Sequence, residues 1–184
     1  MSKKLLLPAT NYTNICIILA DNITKLTGLA PERIINSFSV RGPDLIKTVE
    51  EFVTTSYNLD EVFIVFNVRE STNKEYFVLN ENDDSDSIIC YYDLNLCIYG
   101  NNSSNYAQKL MVRYKDQNVL WELYDRGIFV QDVSYPEDTT EFINNTVWRR
   151  LDMTITIKAR INIAALDDEV IEQLSDCNII TEMK

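Results

Sequence analysis

Residues 147–163 read Val-Trp-Arg-Arg-Leu-Asp-Met-Thr-Ile-Thr-Ile-Lys-Ala-Arg-Ile-Asn-Ile. Leu151, Met153, Ile155, Ile157, Ala159, Ile161 and Ile163 alternate without a slip against Arg150, Asp152, Thr154, Thr156, Lys158, Arg160 and Asn162. Successive strand side chains point to opposite faces, so this pattern predicts a long antiparallel strand with one buried and one polar face. Ordinary strands run about five or six residues. A strand this much longer is expected to overhang its own sheet and offer unpaired backbone to a neighbour.

Working outward, Ile88 to Tyr99 carries the same signal. Ile88, Cys90, Tyr92, Leu94, Leu96 and Ile98 share one face, and Asp93 and Asn95 take the other. The run Val62-Phe63-Ile64-Val65-Phe66 is β-branched and aromatic, which predicts a buried strand, with another near Tyr76 to Leu79. Between the last two long strands, Gly100-Asn101-Asn102-Ser103-Ser104 is expected to cap one long helix carrying Tyr106 to Tyr124 and closed by Gly127. Ile128 to Tyr135 follows as a strand, and Pro136-Glu137-Asp138 as a turn. At the start, Ile15, Ile18, Leu19, Ile23 and Leu26 recur at helical spacing between a cap at Thr10 or Asn11 and Gly28. Pro43 suits the first turn of a second helix with Leu45, Ile46, Val49, Phe52 and Val53 on one face. Leu166, Val170, Ile171 and Leu174 suggest a short acidic helix at the end. The fold class is therefore α+β: a mostly antiparallel sheet with helices packed on one face, in a single domain over residues 1–184.

Composition narrows the chemistry. The 184 residues hold 17 Lys+Arg against 28 Asp+Glu, a net charge of −11. Such a surface repels phosphate, so sequence-specific nucleic-acid binding is not expected, although DNA could slide past it. Histidine is absent, which removes Ser-His, Cys-His and His-zinc chemistry. Cys16, Cys90, Cys97 and Cys177 lie in apolar runs with no CxxC pair and read as core thiols. No phosphate-cradling glycine loop occurs. Glu81 to Asp86 lacks the glycine and glutamate of a calcium loop, and is read as a solvated turn. Glu50-Glu51 and Asp167-Asp168-Glu169 read as surface acids. No enzyme activity, cofactor or metal is expected, and no segment approaches a membrane span; a reducing cytoplasm is the expected setting. A carboxylate-dependent hydrolase is the weakest of the readings kept open.

Arg149-Arg150, with Lys158 and Arg160, stands out as basic against this acidic background. Cross-strand pairing with acids such as Asp152 or Asp132 explains it structurally. Contact with another subunit, where arginine is enriched, explains it functionally.

The strand Tyr92-Asp93-Leu94-Asn95-Leu96-Cys97-Ile98-Tyr99-Gly100, running straight into a helix with Asn105, Ala107 and Leu110, resembles the middle of neck, or tail-terminator, proteins of long-tailed bacteriophages. Trp148-Arg149-Arg150-Leu151-Asp152 opening a long alternating strand looks like that family's closing strand. Gly28-Leu29-Ala30-Pro31-Glu32-Arg33 and Phe63-Ile64-Val65-Phe66 fall in the expected order. The resemblance covers residues 11–163 or so, with the Pro43–Tyr57 helix looking like an insertion and residues 164–184 like an acidic extension. It implies a virion structural protein, assembled in the host cytoplasm: a homo-oligomeric ring, usually of six subunits, whose partners are the tail tube protein and the head-tail connector protein. The ring would stop tail-tube growth and let DNA pass, with sheets lining the channel and helices outside. Arg149, Arg150, Asp152, Lys158 and Arg160 would then face a neighbouring subunit or the channel. The alternatives are another connector, tail-completion or tail-tube-associated protein, or a monomeric cytoplasmic protein-binding module.

Overall fold

The computed structural model describes residues 8–37, 58, 60–71, 77–78, 87–143 and 146–162. The expected helices after Pro43 and after Leu166 lie outside these residues. Among the described residues the order is β1 (Ala9–Thr10), α1 (Tyr12–Thr27), a short 3-10 turn (Pro31–Arg33) and β2 (Ile34–Asn36). Then come β3 (Phe63–Glu70), β4 (Phe77–Val78), β5 (Ser87–Tyr99), α2 (Ser103–Arg113) and α3 (Gln117–Asp125). The chain continues through β6 (Ile128–Val133), β7 (Glu137–Asp138), β8 (Glu141–Ile143), β9 (Thr146–Trp148) and β10 (Arg150–Asn162).

The main sheet runs β1-β10-β5-β3-β2, with β4 also on β5, and β6 and β7 also on β10. β1–β10 and β2–β3 are parallel pairs, and the remaining pairs are antiparallel. This is the α+β architecture the alternation predicts. Among the described residues the overhang is not observed. β10 pairs with β5 at every residue from Arg150 to Asn162. Its other edge meets β7 at Leu151 and Asp152, β6 from Ile155 to Ala159, and β1 at Arg160 and Ile161. Between β7 and β6, Ser134 closes the gap: its amide donates to the Thr154 carbonyl, and its hydroxyl accepts from the Thr154 amide. Strand length here serves a central position, because several short strands share one edge of a long one.

The apolar alternate residues of β10 and β5, with Ile64, Phe66 and Val68 of β3, meet the helices in one core. Ile155, Ile157, Ala159, Leu94 and Ile98 are fully buried. Burying each of these leucine and isoleucine side chains contributes about 1.5–3 kcal/mol. From the helix side, Ile15, Leu19 and Ile23 of α1, Ala107 and Leu110 of α2, and Leu123 of α3 complete the core. Asn11 caps α1 by accepting from the Asn14 amide at 2.8 Å, and Gly28 ends it at φ 76°. Gly100 holds φ 106° where β5 turns into α2, and a Cβ there would lie 2.4 Å from the Glu61 carbonyl oxygen.

The single long helix expected after Gly100 is two helices. The chain leaves α2 at Tyr114, and Asp116 starts α3 by accepting from the Asn118 amide at 2.9 Å. The break lets Tyr114, Val119 and Leu123 all reach the core. The expected turn at Pro136-Glu137-Asp138 includes a short strand, β7, held on β10.

Candidate subunit face

The sheet face away from the helices carries the alternate side chains of β10. Arg150, Asp152, Thr154, Thr156, Lys158 and Arg160 all take this side, because each is out of phase with the buried residues. Arg149 lies between β9 and β10 instead, and its guanidinium donates to Ser104 Oγ of α2 at 3.1 Å. The adjacent arginines therefore serve different parts of the molecule.

Arg150 is tied to its own chain. Its Nε and Nη2 donate to the two Asp152 carboxylate oxygens at 2.6 and 2.8 Å, Nη1 donates to Glu141 Oε1, and Nη2 also reaches Cys97 Sγ at 3.3 Å. The guanidinium lies 5.6 Å from the Tyr99 ring centre. Burial is the largest single influence and disfavours its charge, but hydrogen bonding to Asp152 together with the negative charges of Cys97, Tyr99 and Asp152 outweighs it and raises the pKa above the ordinary arginine value. Cys97 answers to the same cluster: burial pushes its thiol up to about 11, against the pull of the Arg150 charge. A neutral thiol is a poor nucleophile.

Further along β10 the face becomes a polar ladder. Thr154 Oγ1 donates to Asn95 Oδ1 at 3.0 Å, Asn95 Nδ2 donates to Asn67 Oδ1 at 3.1 Å, and Thr156 Oγ1 donates to Asp93 Oδ1 at 3.0 Å. Ser71, Tyr91, Gln131 and Asp132 join Asp93, Thr154 and Thr156 around a hollow of 370 Å³. Lys158 stands over the Tyr91 ring at 4.7 Å, and Arg160 occupies the half-buried position beyond it. From Arg150 to Lys158 the strand advances about 26 Å, so the candidate residues form two clusters at opposite ends of one strand.

Two features escaped the sequence reading. β8 and β9 form a separate hairpin whose base packs Trp148 on Phe63, with ring centres 6.2 Å apart. Asn144-Asn145, between Phe142-Ile143 and Thr146-Val147, was its available turn signal. The other is an apolar groove of 470 Å³ between α3 and β6. Its Trp121, on the helix that the sequence predicts, is 51% exposed.

Among the described residues no three His, Cys, Asp or Glu side chains are grouped to hold a metal ion. No helix among them is long and apolar enough to cross a membrane. The face is a hydrogen-bonded surface on the sheet of an α+β protein. The chain belongs to the phage neck terminator protein family, whose pattern it matches over residues 43–183. The matched span includes both Pro43–Tyr57 and residues 164–183, the stretches that looked like departures from the family, and leaves β1, α1 and β2 outside it. No curated protein sequence gives a significant match. Membership makes the protein a structural component of the phage neck and tail-completion apparatus, in a family that is not one of enzymes.

Proposed function

We propose that this protein caps the phage tail tube as a ring, with six copies to the ring, and joins the tube to the head connector while DNA passes through. The observation that carries the reading is the match to neck terminators over most of the chain. In this arrangement the polar face of β5 and β10 turns towards the channel and the helices turn outward. The chemistry of the face supports that orientation. Its hydroxyls and amides are engaged in a ladder, and Arg150 is held by two carboxylates, so it presents no row of unopposed cations to grip phosphate. A net charge of −11 acts in the same direction. The whole chain works as one domain, with Lys158 and Arg160 towards the channel or a neighbouring subunit, and Arg149 at the junction with α2.

Mass photometry of the purified protein across a concentration series, with and without purified tail tubes, tests the reading. Rings, or rings that form only on tube ends, are expected. A strict monomer that ignores tubes would overturn it in favour of a monomeric binding module. A Lys158→Glu, Arg160→Glu double variant should stay folded and assemble more weakly; unchanged assembly would remove those two residues from the interface.

A further inference from the structure

The β8–β9 hairpin is an arm with a fixed base and an unused outer side. Its register sets Glu141 opposite Trp148, and Phe142 opposite Val147. Alternation turns the first pair towards the body and the second pair away from it. The base is held on both strands: Glu141 by Arg150, and Trp148, 4% exposed, by Phe63. Phe142 and Val147 remain 71% and 55% exposed. Among the described residues neither hairpin strand pairs with the main sheet.

The groove between α3 and β6 is a matching receptor. Leu120, Trp121, Tyr124, Phe129 and Val130 line it with Gln117, and Trp121 packs edge-on against Tyr124 at 5.8 Å. Its floor strand, β6, pairs only with β10 among the described residues, so its outer edge is open. The 470 Å³ of the groove lies in the range that encloses a small apolar group, such as a phenyl ring with a neighbouring isopropyl. Charge then selects the occupant. In a chain of net charge −11, like-charged faces of two copies repel. Phe142 and Val147, the pair turned outward, carry no charge, and neither do the residues that line the groove. These are two apolar, uncharged surfaces by which one copy can meet another.

We propose that the arm of one copy docks in the α3–β6 groove of the next. Phe142 and Val147 would enter beside Trp121 and Phe129, and the hairpin would lie along the open edge of β6. The contact is head-to-tail: each copy gives an arm and offers a groove, which closes into a ring when the rotation per copy permits. This rests on the ring reading above and names the surface that makes the ring.

The test uses the full chain in two variants, Phe142→Glu with Val147→Glu in the arm, and Trp121→Glu in the groove. All three substituted residues are at least half exposed, and circular dichroism checks that the variants fold. Each variant alone should be monomeric where the wild type assembles. Mixed one to one they should give heterodimers and nothing larger, because one intact arm meets one intact groove. Phe142→Ala, a milder change, should weaken association roughly 30-fold, as for a central apolar anchor. Wild-type rings together with variants that still form rings would overturn the docking while leaving the ring reading intact. So would a mixture that stays monomeric. A wild type that is monomeric with and without tail tubes would overturn both.

Discussion

On one side of β10, Ile155, Ile157 and Ala159 are sealed beneath the helices; on the other, Thr154, Thr156 and Lys158 stay half-exposed one residue away. The sealed side is held by packing that draws on α1, α2, α3, β3 and β5 together. The open side is held by short local bonds, Thr154 to Asn95 and Thr156 to Asp93, each of which could be lost without disturbing the next. The difference separates two duties. Residues that specify the fold are coupled to many elements, whereas residues free to meet a neighbour are tied to one or two. Arg150 crosses that division: it lies on the open side, but its bonds to Asp152 and Glu141 join the sheet to the hairpin.

The largest effect should come from the sealed side. Ile157→Ala removes three buried carbons from a position with 0% exposure, and the cavity should cost about 2–5 kcal/mol. Urea unfolding of the monomer measures it. A loss under 1 kcal/mol would mean that the core collapses around the gap and that the two faces differ less in how tightly they are held.

Arg150→Met should come next, at about 1–3 kcal/mol, because it leaves the Asp152 and Glu141 carboxylates close together without their cation. The partial exposure of both acids keeps the loss below that of a fully buried pair. The variant also tests how the hairpin is held. In a Trp121→Phe background, Trp148 emission should shift to the red as the hairpin base loosens. A loss of stability without that shift would place Arg150 in the sheet alone.

How much of this was legible follows from the range over which each interaction acts. The buried face of β10 was readable because Leu151 to Ile161 repeats at period two, and period two is a local property. The overhang was misjudged because strand length does not say how many short strands share an edge, and β7, β6 and β1 converge on β10 from distant parts of the chain. The break at Tyr114 contains neither Gly nor Pro, and Asp116 was its only local sign. Among the candidate residues, Arg150 and Asp152 do come together, which the cross-strand reading half anticipated; the second acid is Glu141 rather than Asp132. The groove was invisible because Trp121 satisfies helical periodicity as well as any core residue, and its exposure depends on where β6 ends up.

A smaller effect of opposite sign is expected beneath the helices. Tyr114 is 1% exposed, and its hydroxyl has no hydrogen-bond partner among the described residues. Tyr114→Phe removes that unsatisfied group and should stabilise the monomer by about 1 kcal/mol. A destabilisation of the same size would reveal a bound water on the hydroxyl and make this corner of the core polar by design.

The smallest effect belongs to Cys97, where the open face and the Arg150 cluster meet. Its folded pKa of about 11 stands above the ordinary 9.0, with burial the main cause. Between those values the unfolded chain has lost this proton and the folded chain has kept it. The contribution to stability is therefore complete below about pH 9 and declines as pH rises towards 11. Cys16 and Tyr12, also raised chiefly by burial, act in the same sense, so Cys97→Ala should shallow the alkaline slope without abolishing it. In a protein whose other cysteines are alanine, Cys97 should react with a thiol reagent at pH 8 more slowly than an unstructured cysteine. Arg150 pulls this pKa down, so Arg150→Met should slow the reaction further if the cluster stays closed. Faster reaction would mean that the hairpin has lifted and admitted solvent, which makes this thiol a reporter on whether the arm is held at its base.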